Sequence, residues 1–112
     1  MNKQRRKELW AIQQRLFNII DVDHETCNIE DVHSELADIK GDLMYLYNEE
    51  ESYMDNMPEN LQSSSRYYAA EDACDNIDSA MDSINDAIDC DDLDSLTDCI
   101  DSAISYIDDA TV

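Results

Sequence analysis

The sequence predicts an all-α protein, an antiparallel helical hairpin or coiled coil with extra helical segments that make it four-helix-bundle-like. The 112 residues include one Gly and one Pro, so few positions force a helix to stop. Apolar residues recur at intervals of three and four in four stretches. Hydrophobic residues make up 43% of the chain, which is too much for a disordered acidic tail. We expect one helical domain over residues 1–112.

The first two helices are predicted at about 3–20 and 29–57. Asn28 is a suitable N-cap for the second, because its side chain can accept from free amides. Glu50 interrupts an otherwise continuous apolar heptad pattern in that helix. The first stripe is Leu9, Ile12, Leu16 and Ile19, widened by Trp10, Phe17 and Ile20, and the second is Ile29, Val32, Leu36, Ile39, Leu43, Leu46, Tyr53 and Met57.

The segment 56–65 is the clearest break, since Pro58 disfavours helix at the residue before it and a serine can cap the next helix. A connection of this length suits an antiparallel hairpin. Helices at about 66–89 and 93–109 follow, with a turn expected near Cys90–Asp92, where the apolar phase changes. Their stripes are Tyr67, Ala70, Cys74, Ile77, Met81, Ile84 and Ile88, then Leu93, Leu96, Ile100, Ala103 and Ile107, with Ala73, Ala80 and Ala87 beside the first of them.

A lone two-helix hairpin buries too little to be stable. The outer segments can fold back into a bundle within one chain, or two chains can pair their hairpins. The sequence favours a homodimer, because some aromatic and methionine residues lie outside the apolar stripes and indicate a second contact surface. These residues are Tyr45, Tyr47, Met54 and Tyr68.

The charge is strongly negative and uneven. Seven basic residues stand against 28 acidic ones, for a net charge of -21. Such a chain repels nucleic acid and anionic membranes and attracts basic surfaces. Five of the basic residues fall within residues 1–20, and an antiparallel arrangement predicts that Arg5, Arg6 and Lys7 lie near acids of the last helix. The acids in question are Asp101, Asp108 and Asp109.

Little in the sequence points to catalysis, so we expect neither an enzyme nor a cofactor. Two histidines supply few bases, and a single Gly rules out a Gly-rich phosphate loop. Segments 21–25 and 89–94 resemble calcium loops, but both lack the central Gly and the distal Glu, so no metal site is predicted. Without a transmembrane stretch or a signal-peptide pattern, we expect a cytoplasmic protein. Its cysteines, expected to be reduced thiols, are Cys27, Cys74, Cys90 and Cys99.

Carboxylates form an ordered stripe along the third helix, with more in the fourth. At a rise of about 1.5 Å per residue, successive acids advance by roughly 5–6 Å. Two such helices side by side would carry charge at a density of the same order as one DNA strand, whose phosphates lie roughly 3.4 Å apart. The simpler interpretation is a solvated helix face. The predicted partner-binding acids are Glu71, Asp75, Asp78, Asp82, Asp86 and Asp89, with Asp94, Asp98 and Asp101 beside them.

The segment Asp55–Tyr67, DNMPENLQSSSRY, lies between two acidic amphipathic helices. With the opening MNKQRRK and the stretch ACDNIDS at 73–79, it resembles small acidic helical-hairpin proteins encoded by phages and prophages. That group carries no assigned chemistry. The resemblance implies a phage-encoded protein that acts in the cytoplasm of a host cell. Small acidic phage proteins often resemble inhibitors of host defence, some of which mimic DNA.

Two hypotheses about function follow. The first is a phage-type inhibitor whose acidic helical face occupies a basic groove of a host defence or nucleic-acid-processing protein, as an anti-CRISPR-like DNA mimic would, without contacting nucleic acid or membrane itself. The second is a structural or scaffolding coiled-coil protein that uses apolar and tyrosine contacts. The contacts of the second hypothesis would be Tyr45, Tyr47, Tyr53, Tyr67 and Tyr68.

Overall fold

The computed structural model describes residues 1–21 and 27–112. Their helices are α1 (Lys3–Ile20), α2 (Ile29–Asp55), α3 (Ser65–Ile88) and α4 (Leu93–Ala110), with one 3₁₀ turn at Glu59–Leu61. The predicted all-α class is confirmed, and each helix begins and ends within two residues of the bounds expected from periodicity. None of the described helices is both long and apolar enough to cross a membrane.

The helix ends are set by side-chain caps at the positions where periodicity fails. Asn28 Oδ1 accepts from the backbone N–H of Glu30 at 2.9 Å. At the predicted turn between α3 and α4, Asp92 Oδ1 accepts from the N–H of Ser95 at 2.8 Å. These bonds satisfy amides that have no partner within the helix. Asp92 therefore has a structural role in the acidic segment 89–94 that resembled a calcium loop.

The helices form a ring in which α1 packs on α2 and α4, and α3 packs on the same two helices from the opposite corner. Neighbours run antiparallel. Arg5 of α1 meets Glu50 near the end of α2, and His33 Nε2 lies 3.0 Å from the carbonyl oxygen of Cys90, past the end of α3. The result is an up-down-up-down bundle within one chain, 55 × 22 × 18 Å in extent.

The core follows the predicted stripes and draws on all four helices. Its largest fully buried apolar side chains are Leu9, Leu16, Leu36, Ile39, Leu43, Ile77, Ile84, Leu96, Ile100 and Ile107. Two expectations for α1 are wrong: Trp10 and Phe17 do not widen the buried stripe but are 48% and 43% exposed. Because one chain supplies all four helices, the hairpin does not need a second copy to cover its stripes. Dimerisation stays a prediction.

α3 packs more extensively on α4 than on α2, and the predicted small residues account for this. Ala73, Ala80 and Ala87 are all buried, and Ala103 and Ala110 of α4 are buried as well. Side chains of this size let two helix backbones approach closely.

Two basic residues of α1, Arg5 and Arg15, form ion pairs with α2. Arg5 Nε lies 2.6 Å from Glu50 Oε2, and Arg15 reaches Glu35 at 3.1 Å and Asp42 at 2.6 Å. The expectation that Arg5 lies among the acids of α4 is wrong. Among the described residues, no ion pair joins α1 to α4.

Candidate functional site: an acidic face on α3 and α2

The candidate surface is the carboxylate stripe along α3. All six of its predicted members are exposed. They run from Glu71 to Asp89, the residue that caps the end of α3, over roughly 27 Å at the rise of an α-helix. Within the described part of the chain none of them takes part in an ion pair. The stripe, which we call the α3 stripe, is Glu71, Asp75, Asp78, Asp82, Asp86 and Asp89.

The α3 stripe leans toward α2, where it meets further acids. The pKa of Tyr47 in α2 is raised to about 12, first by a hydrogen bond to Glu51 and then by burial, with Asp78 contributing through its charge. Tyr47 therefore lies between carboxylates of both helices. Its phenol stays protonated at neutral pH and can donate to Glu51.

Cys74 lies beneath the same region and is buried. Its pKa is raised to about 12, first by burial and then by the charges of Glu50, Glu51, Asp75 and Asp55. A thiol held neutral in this way is a poor nucleophile and a poor metal ligand. Its environment shows instead that acids of α2 and α3 share one negative region.

Sequence reasoning missed Glu51 and Asp55 as members of this region. The available signal was the spacing in α2: Glu51 follows Tyr47 by one turn and Asp55 follows Glu51 by another. That spacing places them on one side of the helix. Which neighbour this side faces depends on the order of helices in the bundle.

The acids of α4 lie on more than one side of that helix. Asp94, Asp98 and Asp101 are exposed. Burial raises the pKa of Cys99 in α4, and the charges of Asp86, from the α3 stripe, and of Asp98 raise it further, whereas the side that carries Asp101 is turned toward α1. Gln13 of α1 donates to Asp108 Oδ1 at 2.7 Å, and Asp108 follows Asp101 by two helical turns, on the same side. Asp98 therefore lies near the C-terminal end of the α3 stripe, while Asp101 and Asp108 lie on the side of α4 that faces α1. The surface between α3 and α4 holds two further exposed acids, Asp72 and Asp109, which line one depression with Asn76. Its other residues are uncharged: Ser79, Ser83, Ser95, Ser102 and Tyr106.

The five tyrosines of the alternative hypothesis do not form one patch. Tyr45, Tyr53 and Tyr68 are 64%, 40% and 53% exposed, while Tyr47 and Tyr67 are half-buried. Tyr53 lies under the Arg5 guanidinium, 5.6 Å from ring centroid to Cζ. Tyr67 and Tyr68 contact each other edge to face with centroids 6.0 Å apart. Tyr45 borders α1 and Tyr47 borders α3, so these two rings serve separate surfaces. Tyr53 lies beside both α1 and the start of α3.

No group of three or more His, Cys, Asp or Glu residues in the described ranges is arranged to hold a metal ion. The calcium-like segment 21–25 falls almost entirely outside those ranges. Comparison of the chain with protein-family models, curated proteins and solved structures finds no significant match.

Proposed function

We propose that the protein is a phage-type inhibitor that presents the α3 stripe, with Glu51 and Asp55, to a basic groove of a nucleic-acid-binding protein of the host. One observation carries the proposal: six exposed carboxylates follow one helix without an ion-pairing partner among the described residues. Such a row attracts basic surfaces, and its attraction falls steeply with salt.

The geometry suits imitation of a nucleic-acid backbone. Successive acids of the α3 stripe advance by roughly 5–6 Å, against roughly 3.4 Å for phosphates of one DNA strand. Glu51 and Asp55 add charge from the neighbouring helix. Five of the six stripe residues are Asp, whose short side chain holds the charge close to a rigid backbone. The phage context comes from the resemblance of the turn Asp55–Tyr67.

The test compares two variants of equal charge. In one, Asp75, Asp78 and Asp82 of α3 are changed to Asn; in the other, Asp98, Asp101 and Asp109 of α4 are changed to Asn. Each protein is immobilised and exposed to a bacterial lysate at low and high salt, and bound proteins are eluted with double-stranded DNA and identified.

We expect the wild type and the α4 variant to retain DNA-binding proteins at low salt and release them to DNA or to high salt. The α3 variant should retain almost none. Retention that withstands salt and DNA competition contradicts the proposal. If the α3 variant also retains the same proteins while Tyr45→Ala or Tyr68→Ala releases them, the scaffolding function is favoured instead. Both tyrosine rings are exposed, so either substitution tests a contact with a partner rather than the packing of the core.

A further inference from the structure

The outer side of α1 carries a row of exposed residues that the bundle does not use. It consists of two lysines, two aromatic residues, a glutamine and an aspartate, spaced by three and four along the helix, which places them in one row. Trp10 and Phe17 expose 48% and 43% of their surface. The row, which we call the α1 stripe, is Lys3, Lys7, Trp10, Gln14, Phe17 and Asp21.

Charge makes this row unusual on the molecule. α1 holds five basic residues and one acid, whereas α2, α3 and α4 are each net negative. Arg5 and Arg15 are consumed by pairs with α2, but Lys3 and Lys7 join no ion pair among the described residues. Two copies with a charge of -21 each repel one another over most of their surfaces. α1 is the described helix through which they can approach at the lowest electrostatic cost.

The α1 stripe is complementary to itself in the antiparallel direction. If two copies of α1 lie antiparallel about a two-fold axis between Trp10 and Gln14, Lys3 faces Asp21 of the second copy. Lys7 then faces Phe17, where an ammonium and a ring attract each other, and Trp10 faces Gln14. A two-fold interface requires one patch to fit itself in this way.

We infer that the α1 stripe is the contact surface for a second copy of this chain, paired antiparallel. The inference goes beyond the proposed function and does not depend on it. An interface of one helix from each copy falls below the roughly 1,200 Å² of stable complexes, so the dimer should be weak and concentration-dependent. Because α3 lies across the bundle from α1, both α3 stripes stay exposed in such a dimer.

Sedimentation velocity over a range of protein and NaCl concentrations tests the surface. We expect the dimer to strengthen with salt, since screening shortens the range of repulsion to about 8 Å at 0.15 M. This is the opposite of the salt dependence expected for binding through the α3 stripe, so failure of one proposal is distinguishable from failure of the other. Trp10→Ala with Phe17→Ala should weaken dimerisation at least about tenfold. The control, Tyr68→Ala with Tyr106→Ala, removes exposed rings from α3 and α4 and should leave it unchanged.

A charge exchange tests the antiparallel register. Lys3→Asp and Asp21→Lys should each weaken the dimer, and the double variant should restore it. Asp21→Lys is the sharper of the two, because it makes the chain less negative and would strengthen a dimer governed by net charge alone. Both changes favour α1, as they put an acid at its N-terminus and a base at its C-terminus, so loss of folding does not confuse the result.

Three results would overturn the inference. They are a protein that stays monomeric at millimolar concentration, a dimer that the Trp10 and Phe17 changes leave intact, and single charge reversals that the double variant does not rescue. Circular dichroism of each variant confirms that the helices are intact before the comparison is made.

Discussion

Arg5 and Glu50 form an ion pair inside the bundle, with Arg5 Nε donating to Glu50 Oε2 at 2.6 Å. Glu50 is fully buried and Arg5 is 8% exposed. The α-amino group of Met1 lies 3.7 Å from Glu50 Oε1, a distance at which it adds charge but no hydrogen bond. The pair explains why an acid occupies a position in α2 where the apolar pattern calls for a hydrophobic residue.

Removing one partner should cost much more than removing both. Arg5→Met leaves a buried carboxylate without its main counter-charge, and we expect the free energy of unfolding to fall by about 3–5 kcal/mol. Replacing both, as Arg5→Met with Glu50→Leu, should recover most of that loss because no buried charge remains. Urea denaturation at neutral pH measures the three proteins. A double variant as unstable as the single one would show that Arg5 acts through packing rather than charge.

The close contact of α3 with α4 should tolerate no larger residue at its centre. Ala80 is fully buried, and Ala80→Leu forces the two helices apart, at a cost of about 1–3 kcal/mol. Ala37→Leu on the exposed side of α2 makes the same chemical change without a neighbour, and we expect it to change stability by less than about 0.5 kcal/mol. If the two variants lose equal amounts of stability in denaturation, the size of the side chain at Ala80 does not set the distance between α3 and α4.

Stability should decrease in alkaline solution because of Cys74 and Tyr47. Their pKa values rise from 9.0 and 10.0 to about 12 in the folded protein. Between pH 9 and 12 the unfolded chain therefore binds fewer protons than the folded one, and the free energy of unfolding falls as pH rises.

The pH slope is measured by urea denaturation at several alkaline pH values. Cys74→Ala removes the contribution that begins near pH 9, and Tyr47→Phe the one that begins near pH 10. Each variant should show a flatter slope than the wild type, whatever its stability at neutral pH. Tyr68→Phe is the control and should follow the wild type. A slope unchanged in both test variants would contradict the burial and charge assigned to this region.

The helices and most of the core could be predicted from sequence because both depend on local periodicity. The partners of particular side chains could not. The sequence shows that Glu50 interrupts the apolar pattern of α2. Its partner, Arg5, is 45 residues away and can be identified only from the order of helices around the bundle. The same order decides that Glu51 of α2 lies beside the α3 stripe.

The α3 stripe should reduce the stability of the fold that carries it. Like charges three or four residues apart on a helix cost about 0.2–0.5 kcal/mol per pair, so changing Asp75, Asp78 and Asp82 to Asn should raise the free energy of unfolding at low salt. Raising NaCl to about 1 M shortens the screening length to about 3 Å and should stabilise the wild type more than this variant. Urea denaturation at both salt concentrations gives the comparison.

The matched control is the neutralised α4 set, Asp98, Asp101 and Asp109. These acids are spaced more widely, with Asp109 more than two turns beyond Asp101, so their removal should give a smaller gain at low salt. If the α3 variant is no more stable than the wild type, the stripe costs the fold nothing and needs no partner to account for it. If the α3 variant is more stable than the wild type and no longer binds the host proteins, the acids of α3 serve binding at the expense of stability. Such a trade-off is common at binding surfaces.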